Sequence, residues 1–194
     1  MNPIKLHLCK QKIKTGIGCA KNLKESAKYI KSSAEKGVPL AMLFHANNLL
    51  DGIVIDQDKL EASKFLKKAS DLGIYEAIEK YAYMQYKGDG VPINKKEAAK
   101  YYKIAADKGS INSSLFYGWM LCTGNGIDMN KQEAAKYLKI PADKGSNEAM
   151  FFYGLCLLDR NGIETNRNIA KHYFKMSANN GNINSLIMIK YVLV

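Results

Sequence analysis

The sequence predicts an all-α protein in which pairs of helices repeat along the chain. Glycines recur at a constant spacing of 36 residues: Gly37, Gly73, Gly109, Gly145 and Gly181. Asn or Asp recurs at the same spacing: Asn22, Asp58, Asn94, Asn130 and Asn166. Related segments precede the glycines, as in "KYYKIAADKG" and "KYLKIPADKG". Asn and Asp favour helix starts and Gly favours helix ends, so each repeat holds a helix between the two columns.

This second helix of each repeat, helix B, begins at the Asn or Asp and ends at the Gly. Glu follows the cap by three residues in four repeats and completes a capping box there: Glu25, Glu61, Glu97 and Glu133. Ile169 takes this place in the fifth repeat, so that box is lost. Pro141 stands where other repeats have alanine and should bend the last turns of its helix.

The first helix of each repeat, helix A, lies between the Gly and the next cap. It ends at glycine-rich turns such as "GDGV" and "GNGI", which permit a left-handed backbone. The repeats are therefore 1–36 (degenerate), 37–72, 73–108, 109–144 and 145–180, and residues 181–194 form a half repeat with one helix A. We expect 11 helices, no strands and a single domain over residues 1–194.

The repeats resemble the Sel1-like repeat family, a family similar to tetratricopeptide repeats. The segments "SLFYGWMLCTGNGI" and "NKQEAAKYLKIPADKG" carry the resemblance, which covers essentially the whole chain in phase. It implies a right-handed α/α superhelical solenoid of five helix pairs plus a final single helix, with helix A lining the concave surface. It also implies a protein-binding adaptor or scaffold. One departure is Gly52, which is followed by "IVID" without a second glycine.

Helical periodicity assigns one face of each helix to the core. In helix A, positions four, eight and nine after the Gly are small, large and small, as close helix pairing requires. His45 replaces an aromatic residue at the eighth position, and we predict a core histidine with satisfied nitrogens rather than a catalyst. In helix B, an aromatic column is assigned to packing: Tyr29, Phe65, Tyr101, Tyr137 and Tyr173.

The opposite side of helix A carries a mostly apolar row of residues, called here the helix-A strip. It comprises Leu43, Asn47, Leu50, Glu79, Tyr83, Tyr86, Lys87, Leu115, Trp119, Cys122, Phe151, Leu155, Leu158 and Tyr191. We predict that it lines a groove for a protein segment, because exposed apolar patches mark interaction sites. Apolar anchoring is expected at Tyr83, Trp119, Phe151 and Leu155, and polar contacts at Asn47, Glu79 and Lys87. Alternatively, curvature closes the groove and these side chains pack on the next helix A.

The outer side of helix B carries two lysine columns, together called the lysine ridge. Its members are Lys28, Lys31, Lys64, Lys67, Lys100, Lys103, Lys136, Lys139 and Lys175. The net charge is +11, and Arg160 and Arg167 are the only arginines. The ridge fits either an acidic protein, anionic membrane or nucleic acid, or a solvated face. We favour a solvated face, and the scarcity of arginine argues against nucleic acid as a partner.

The sequence predicts no catalytic residue, metal site or cofactor, and hence a non-enzymatic protein. His7, His45 and His172 fall in different columns, and the four cysteines lack metal-ligand spacing: Cys9, Cys19, Cys122 and Cys156. Some Sel1-like proteins associated with β-lactam binding or hydrolysis repeat a cysteine pair in every repeat. This chain does not, so that activity is not carried over.

The two ends of the chain bear on location and assembly. The N-terminal segment lacks the apolar core of a signal peptide, and no apolar run approaches the ~20 residues that cross a bilayer, so we expect a cytoplasmic protein. The resemblance leaves a further alternative, a fragment of an endoplasmic-reticulum quality-control adaptor. The apolar segment "NINSLIMIKYVLV" suggests self-association through the C-terminal helix, a missing domain, or a helix that merely covers the fifth repeat.

Overall fold

The computed structural model describes residues 20–158 and 167–191, and these residues form helices joined by short turns, without a strand. The helices are α1 (Ala20–Glu35), α2 (Pro39–Asp51), α3 (Lys59–Asp71), α4 (Tyr75–Lys87), α5 (Lys95–Asp107), α6 (Ile111–Thr123), α7 (Lys131–Asp143), α8 (Asn147–Leu157), α9 (Arg167–Asn179) and α10 (Ile183–Tyr191). Odd-numbered helices are helix B and even-numbered helices are helix A. The predicted all-α repeat fold is confirmed. The remaining predicted helix lies in residues 1–19, outside the described residues.

Contacts divide the chain into two compact bodies. The first body comprises Met1–Tyr81 and Asp89–Val91, and the second comprises Ala82–Gly88 and Pro92–Val194. In the first body, α2 packs against α1 and α3. In the second body, α6 packs against α5, α7 and α8, while α9 packs against α8 and α10. The single domain over residues 1–194 stays a prediction.

Capping side chains start helix B as the sequence indicates. The side chains of Asp58, Asn94 and Asn130 accept hydrogen bonds from the backbone N–H three residues on, at 2.8, 3.0 and 2.9 Å. The prediction that Asn22 caps the first helix B is wrong, because α1 begins at Ala20 and Asn22 lies inside it. Alanine is a strong helix former, and it extends the helix past the expected start. Asn166 lies outside the described residues.

The glycines that end the helices adopt the left-handed backbone that the sequence indicates. The five helix-B glycines have φ between 84° and 94°, and the glycines of the two tight turns, Gly88, Gly90, Gly124 and Gly126, have φ between 71° and 88°. A pair of backbone hydrogen bonds closes each helix B, as in Gly109 N to Ala106 O and Ser110 N to Ala105 O. Pro141 is buried inside α7, which continues to Asp143.

The core is built from the columns that the sequence assigned to it. The alanines of helix B, Ala62, Ala98, Ala134 and Ala170, are fully buried. Close packing demands glycine at two helix-A positions. A Cβ added at Gly118 would lie 2.6 Å from Cγ of Leu138, and one at Gly154 would lie 2.8 Å from the Phe174 ring. Helix A and helix B of one repeat therefore pack backbone against side chain at these positions.

Candidate functional site

In the first body, the helix-A strip is largely closed to a partner. Leu43 and Asn47 are only 4% and 6% exposed, and Leu50 and Glu79 are half-buried. The Oδ1 atom of Asn47 accepts a hydrogen bond from Nζ of Lys80 at 2.8 Å. The same Nζ atom lies 3.2 Å from a carboxylate oxygen of Glu76. The polar group of Asn47 is thus already engaged within the chain.

In the second body, the strip presents three aromatic rings, called here the aromatic patch: Tyr83, Tyr86 and Trp119. Tyr83 is 47% exposed and precedes the half-buried Tyr86 by one turn of α4. The rings of Tyr86 and Trp119 meet edge to face, with centroids 5.7 Å apart. Asn125 Nδ2 donates to the Tyr86 hydroxyl at 3.3 Å, and Nζ of Lys87 lies 5.6 Å from the Tyr86 ring. The patch therefore combines fixed rings with one exposed ring and a nearby positive charge.

The remaining strip residues of the second body differ in accessibility. Cys122 is only 5% exposed and its Sγ lies 4.0 Å from the Phe152 carbonyl oxygen. The others are half-buried: Leu115, Phe151, Leu155 and Leu158. Phe151 packs against the core ring of Phe174, with centroids 5.9 Å apart. Tyr191 is the last residue of α10. The strip in this body is therefore a partly open, mostly apolar surface.

The two columns of the lysine ridge differ in their charge partners. Residues Lys31, Lys67, Lys103 and Lys139 each pair with an acid four residues on, at 3.9, 3.2, 2.9 and 2.6 Å. These acids form a column of their own, called here the acid column: Glu35, Asp71, Asp107 and Asp143. In contrast, Lys28, Lys64, Lys100 and Lys136 are exposed and make no ion pair with a described residue. The last lysine of the paired column, Lys175, is exposed and is followed by Asn179 instead of an acid. The positive charge of the ridge that has no ion pair to a described residue therefore lies on Lys28, Lys64, Lys100 and Lys136, together with Lys175.

Tyrosines of helix B join successive repeats at the acid column. The Tyr137 hydroxyl donates to Oδ1 of Asp107 at 2.6 Å and accepts from Nζ of Lys103 at 2.9 Å. Hydrogen bonds from Tyr137 and Lys103 hold the pKa of Asp107 below its usual range, and burial raises the pKa of Tyr137. The arrangement recurs one repeat later, where the Tyr173 hydroxyl donates to Oδ1 of Asp143 at 2.5 Å. The aromatic column packs as predicted at Phe65 and Tyr101, which are buried, and at Tyr137 and Tyr173, which are half-buried, but the prediction is wrong for Tyr29, which is 63% exposed. The hydroxyl groups of Tyr137 and Tyr173 also tie neighbouring repeats together.

His45 occupies the core, but the prediction that its nitrogens are satisfied is wrong. It is 1% exposed, and neither ring nitrogen has a hydrogen-bond partner within the described part of the chain. Its ring meets Phe65 edge to face at 4.8 Å, where two other repeats pair Tyr117 with Tyr137 and Tyr153 with Tyr173. Burial lowers the pKa of His45, which favours the neutral ring.

Within residues 20–158 and 167–191, no group of three or more His, Cys, Asp or Glu side chains could hold a metal ion. Cys122 and Cys156 are buried and in no disulfide. None of the ten helices α1 to α10 has the length and apolar character that a bilayer crossing requires. His7, Cys9 and Cys19 lie outside the described residues.

Comparison with known proteins identifies the repeat. The family described as Sel1 repeat matches residues 13–38, 39–74, 76–110, 112–146 and 147–182. The chain belongs to the Sel1 repeat family. The matched segments begin close to the repeat boundaries predicted from the glycine spacing. The second segment, for example, begins at residue 39, and the predicted repeat begins at residue 37. The resemblance drawn from the sequence is confirmed.

Solved structures agree with the Sel1 repeat assignment. A Sel1 repeat protein from Oxalobacter formigenes shares 29% identity, with a TM-score of 0.72 over 96% of this chain and 77% of that one. The protective antigen c5321 of uropathogenic Escherichia coli strains, which has the same repeat fold, shares 25% identity with a TM-score of 0.68 over 85% of this chain and 35% of that one. No curated protein matches the sequence. Sel1 repeat proteins are generally protein-interaction scaffolds, typically without enzymatic activity.

Sequence reasoning missed the acid column and the tyrosine hydroxyl groups. The acids were visible, because Lys31, Lys67, Lys103 and Lys139 each precede an acid by four residues, the spacing of helical ion pairs. The tyrosine contacts were not visible, because they join residues of different repeats. Their only signal is a constant separation of 30 residues between donor and acceptor.

Proposed function

We propose that this Sel1 repeat chain acts without catalysis, by binding a segment of another protein at the aromatic patch. The observation that carries the proposal is Tyr83, an aromatic ring 47% exposed in the middle of the helix-A strip. An aromatic side chain combines a large apolar surface with a polar tip and loses little conformational entropy on binding. Tyr83 therefore serves as an anchor for an apolar side chain of the partner.

The rest of the patch is held in place before a partner arrives. The Tyr86 ring is fixed at its edge by Trp119 and at its hydroxyl by Asn125. A surface that is already ordered loses less entropy on association and gains affinity. Exposed Lys87 adds a positive charge beside the rings, so the expected partner segment combines apolar residues with an acidic one. An affinity in the micromolar range, about −8 kcal/mol, suits a partly open surface of this size.

The test compares capture of partners by the wild-type chain and by a Tyr83→Ala/Trp119→Ala variant, from a lysate of the source cell. A matched control is Ile140→Ala, which removes an apolar side chain that is 58% exposed on helix B. Circular dichroism of each variant checks that the helices are retained. We expect a specific partner to be kept by the wild type and by the control at low and moderate salt, and to be lost by the double variant.

Retention of every partner by the double variant would refute the aromatic patch as the binding site. Once a partner segment is purified, titration of each variant with it measures the dissociation constant. Loss of one exposed and one half-buried aromatic anchor should weaken binding by about 2 kcal/mol or more, roughly 30-fold or more in the dissociation constant.

A second candidate function uses the column Lys28, Lys64, Lys100 and Lys136 to dock an acidic protein surface. The observation that favours it is that these four lysines form no ion pair with a described residue, in contrast to Lys31, Lys67, Lys103 and Lys139 in the column beside them. Such docking is screened by salt and should fade between low and moderate ionic strength.

Charge reversal separates the second candidate from the first. Lys100→Glu with Lys136→Glu should abolish capture of an acidic partner, whereas reversal at the paired residue Lys139 should weaken it less. Capture that neither reversal nor salt changes would exclude the lysine column and leave the aromatic patch as the site.

A further inference from the structure

The aromatic patch holds two hydrogen-bond donors that have no partner among the described residues. Tyr83 is 47% exposed, and its hydroxyl makes no hydrogen bond there. The indole N–H of the half-buried Trp119 makes none either, and its nitrogen is open to solvent. The Tyr86 hydroxyl, in contrast, already accepts from Asn125. The patch therefore sets apolar rings beside donors that are ready for the acceptors of a partner.

Tyr83 and Trp119 lie at equivalent positions of successive helices A. Each is the tenth residue after the glycine of its repeat, and Leu155 holds the same position on α8. The end of α4 lies next to α6, because the rings of Tyr86 and Trp119 meet, and α6 packs against α8. Packed helices lie about 8–10 Å apart, so the strip offers one anchor at each step of that length.

The step between anchors separates the conformations of a bound segment. A polyproline II helix has three residues per turn and rises about 3.1 Å per residue, so every third side chain returns to one side at intervals of about 9 Å. In a β-strand, side chains on one face recur at about 6.4–6.8 Å. In an α-helix, residues seven apart are separated by about 10 Å. The step does not fit a strand and fits either kind of helix.

The unpaired donors favour polyproline II over the α-helix. The backbone carbonyl groups of an α-helix are already hydrogen-bonded within the segment, so they are poor acceptors for a tyrosine hydroxyl or an indole N–H. A polyproline II segment has no internal hydrogen bonds, and all its carbonyl oxygens are free to accept. Proline-rich segments of this conformation bind to surfaces lined by aromatic rings, and they lose little entropy because the conformation exists before binding.

We infer that the aromatic patch binds a proline-rich segment in the polyproline II conformation, with a proline at every third position. This inference rests on the proposed function of the patch and names the class of its partner. One proline packs on Tyr83, the proline three residues away packs on Trp119, and an apolar residue at the same interval contacts Leu155. The Tyr83 hydroxyl and the Trp119 N–H donate to carbonyl oxygens of the segment.

The charge of the patch adds one further requirement. Lys87 is exposed one turn after Tyr83 on α4, and it forms no ion pair with a described residue. An acidic residue beside the proline on Tyr83 therefore strengthens binding about two- to fivefold at low salt, as expected for an exposed pair. We expect a dissociation constant of about 1–100 µM for a short segment of this kind.

Trp119 is the only tryptophan of the chain, so its fluorescence monitors the patch directly. The probe is a synthetic peptide of about ten residues with proline at every third position, one glutamate and no aromatic residue. A reordered peptide has the same composition without the three-residue spacing. A third peptide is an amphipathic α-helix with apolar residues seven apart and one glutamate. Each peptide is titrated by Trp119 fluorescence and by calorimetry.

Three variants locate the binding. Tyr83→Ala removes the exposed ring, and Trp119→Phe keeps a ring but removes the N–H donor. The matched control is Tyr29→Ala, which removes a ring that is 63% exposed on α1. Calorimetry measures the affinity of each variant, since Trp119→Phe has no tryptophan to observe, and circular dichroism verifies that the helices are retained.

We expect the spaced-proline peptide to shift the Trp119 fluorescence and to bind at least about 10-fold more tightly than the reordered peptide. Tyr83→Ala should weaken its binding at least about 10-fold and Trp119→Phe about 3- to 10-fold, whereas Tyr29→Ala should change it less than about 2-fold. Absence of binding by the spaced-proline peptide would overturn the inference, and so would equal binding by the reordered peptide.

Two outcomes separate this inference from the proposed function. Tighter binding of the helical peptide, lost in Tyr83→Ala, would overturn the polyproline II inference and leave the aromatic patch as a protein-binding site. Partner capture that Tyr83→Ala/Trp119→Ala leaves unchanged would overturn the proposed function, and the inference with it.

Discussion

Alanine substitution at two glycines measures how tightly a turn of one repeat is held against the helix of the preceding repeat. Gly126 has φ of +88° and Gly145 has φ of +93°, so the backbone penalty for a side chain is nearly the same at both. Their surroundings differ. A Cβ at Gly145 has no atom within 4 Å, whereas a Cβ at Gly126 would lie 2.3 Å from Cβ of Lys95 and 3.3 Å from its backbone carbonyl carbon.

The magnitudes follow from this difference. The left-handed conformation costs a residue with a Cβ about 1–2 kcal/mol, so Gly145→Ala should lower the free energy of unfolding by that amount. Carbon atoms normally approach to about 3.5–4.0 Å, so Gly126→Ala must displace its neighbour by more than about 1 Å. The Lys95 Cβ is fixed by its own backbone at the start of α5 and cannot swing aside. Overpacking of this kind adds about 1–3 kcal/mol.

We therefore expect Gly126→Ala to be less stable than Gly145→Ala by about 1–3 kcal/mol. Urea unfolding followed by far-ultraviolet circular dichroism measures both, and an unchanged slope with denaturant shows that the transition stays comparable. The first body offers a replicate, because a Cβ at Gly90 would lie 2.1 Å from Lys59 Cβ and one at Gly37 has no atom within 4 Å. Equal losses at the clashing and the open glycine would refute the reasoning.

Two further predictions concern single side chains. Tyr137→Phe removes the hydroxyl that donates to Asp107, and it should lower the free energy of unfolding by about 1 kcal/mol. Tyr29→Phe is the control, because Tyr29 lies in the same column but is 63% exposed, and it should change the free energy of unfolding by less than about 0.3 kcal/mol. Urea titration of both variants measures the difference. Burial lowers the pKa of His45, so the imidazole takes up a proton at a higher pH in the unfolded chain than in the folded chain. The free energy of unfolding therefore falls as the pH drops below about 6.5, by at most about 1.4 kcal/mol per pH unit. His45→Tyr, the residue of three other repeats, should remove this part of the decline between about pH 7 and about pH 5, and an unchanged slope would contradict the assignment.

The fold was predictable because the repeat supplies the same local signal several times. Asp58, Asn94 and Asn130 cap the starts of helices, and five glycines follow the ends of helices. In each case the local preference of a single residue explains its position. The error at Asn22 has the same origin. A cap residue is only a local preference, and Ala20, two positions earlier, favours helix.

The accessibility of the helix-A strip was less predictable, because it depends on neighbours rather than on angular position. Asn47, Tyr83 and Trp119 occupy equivalent positions of successive repeats, yet Asn47 is 6% exposed, Tyr83 is 47% exposed and Trp119 is half-buried. Lys80 covers the amide of Asn47 and Tyr86 covers one side of Trp119. Periodicity gives the face of a helix, and long side chains from elsewhere decide what remains open on it.

Side-chain contacts between successive repeats recur at a sequence separation that differs from the repeat length of 36 residues. Contacts between residues 30 apart recur along the chain: Lys59 with Asp89, Lys95 with Asn125, and Tyr137 with Asp107. In the first two, the lysine that begins a helix B reaches the turn of the following repeat, and the glycine after the Asp or Asn lets that turn approach the lysine Cβ.

The turn after Gly52 lacks the second glycine, and its counterpart in the preceding helix B also differs. At the position of Lys59 and Lys95, the first repeat has Leu23, and the turn 30 residues later reads Ile53 and Val54 instead of Asp-Gly or Asn-Gly. A leucine offers no ammonium group, so a polar acceptor in the turn would gain no hydrogen bond from it. Leu23 supplies no such hydrogen bond and Ile53 is 72% exposed, so the turn after Gly52 is not held by the lysine contact that fixes the turns at Asp89 and Asn125.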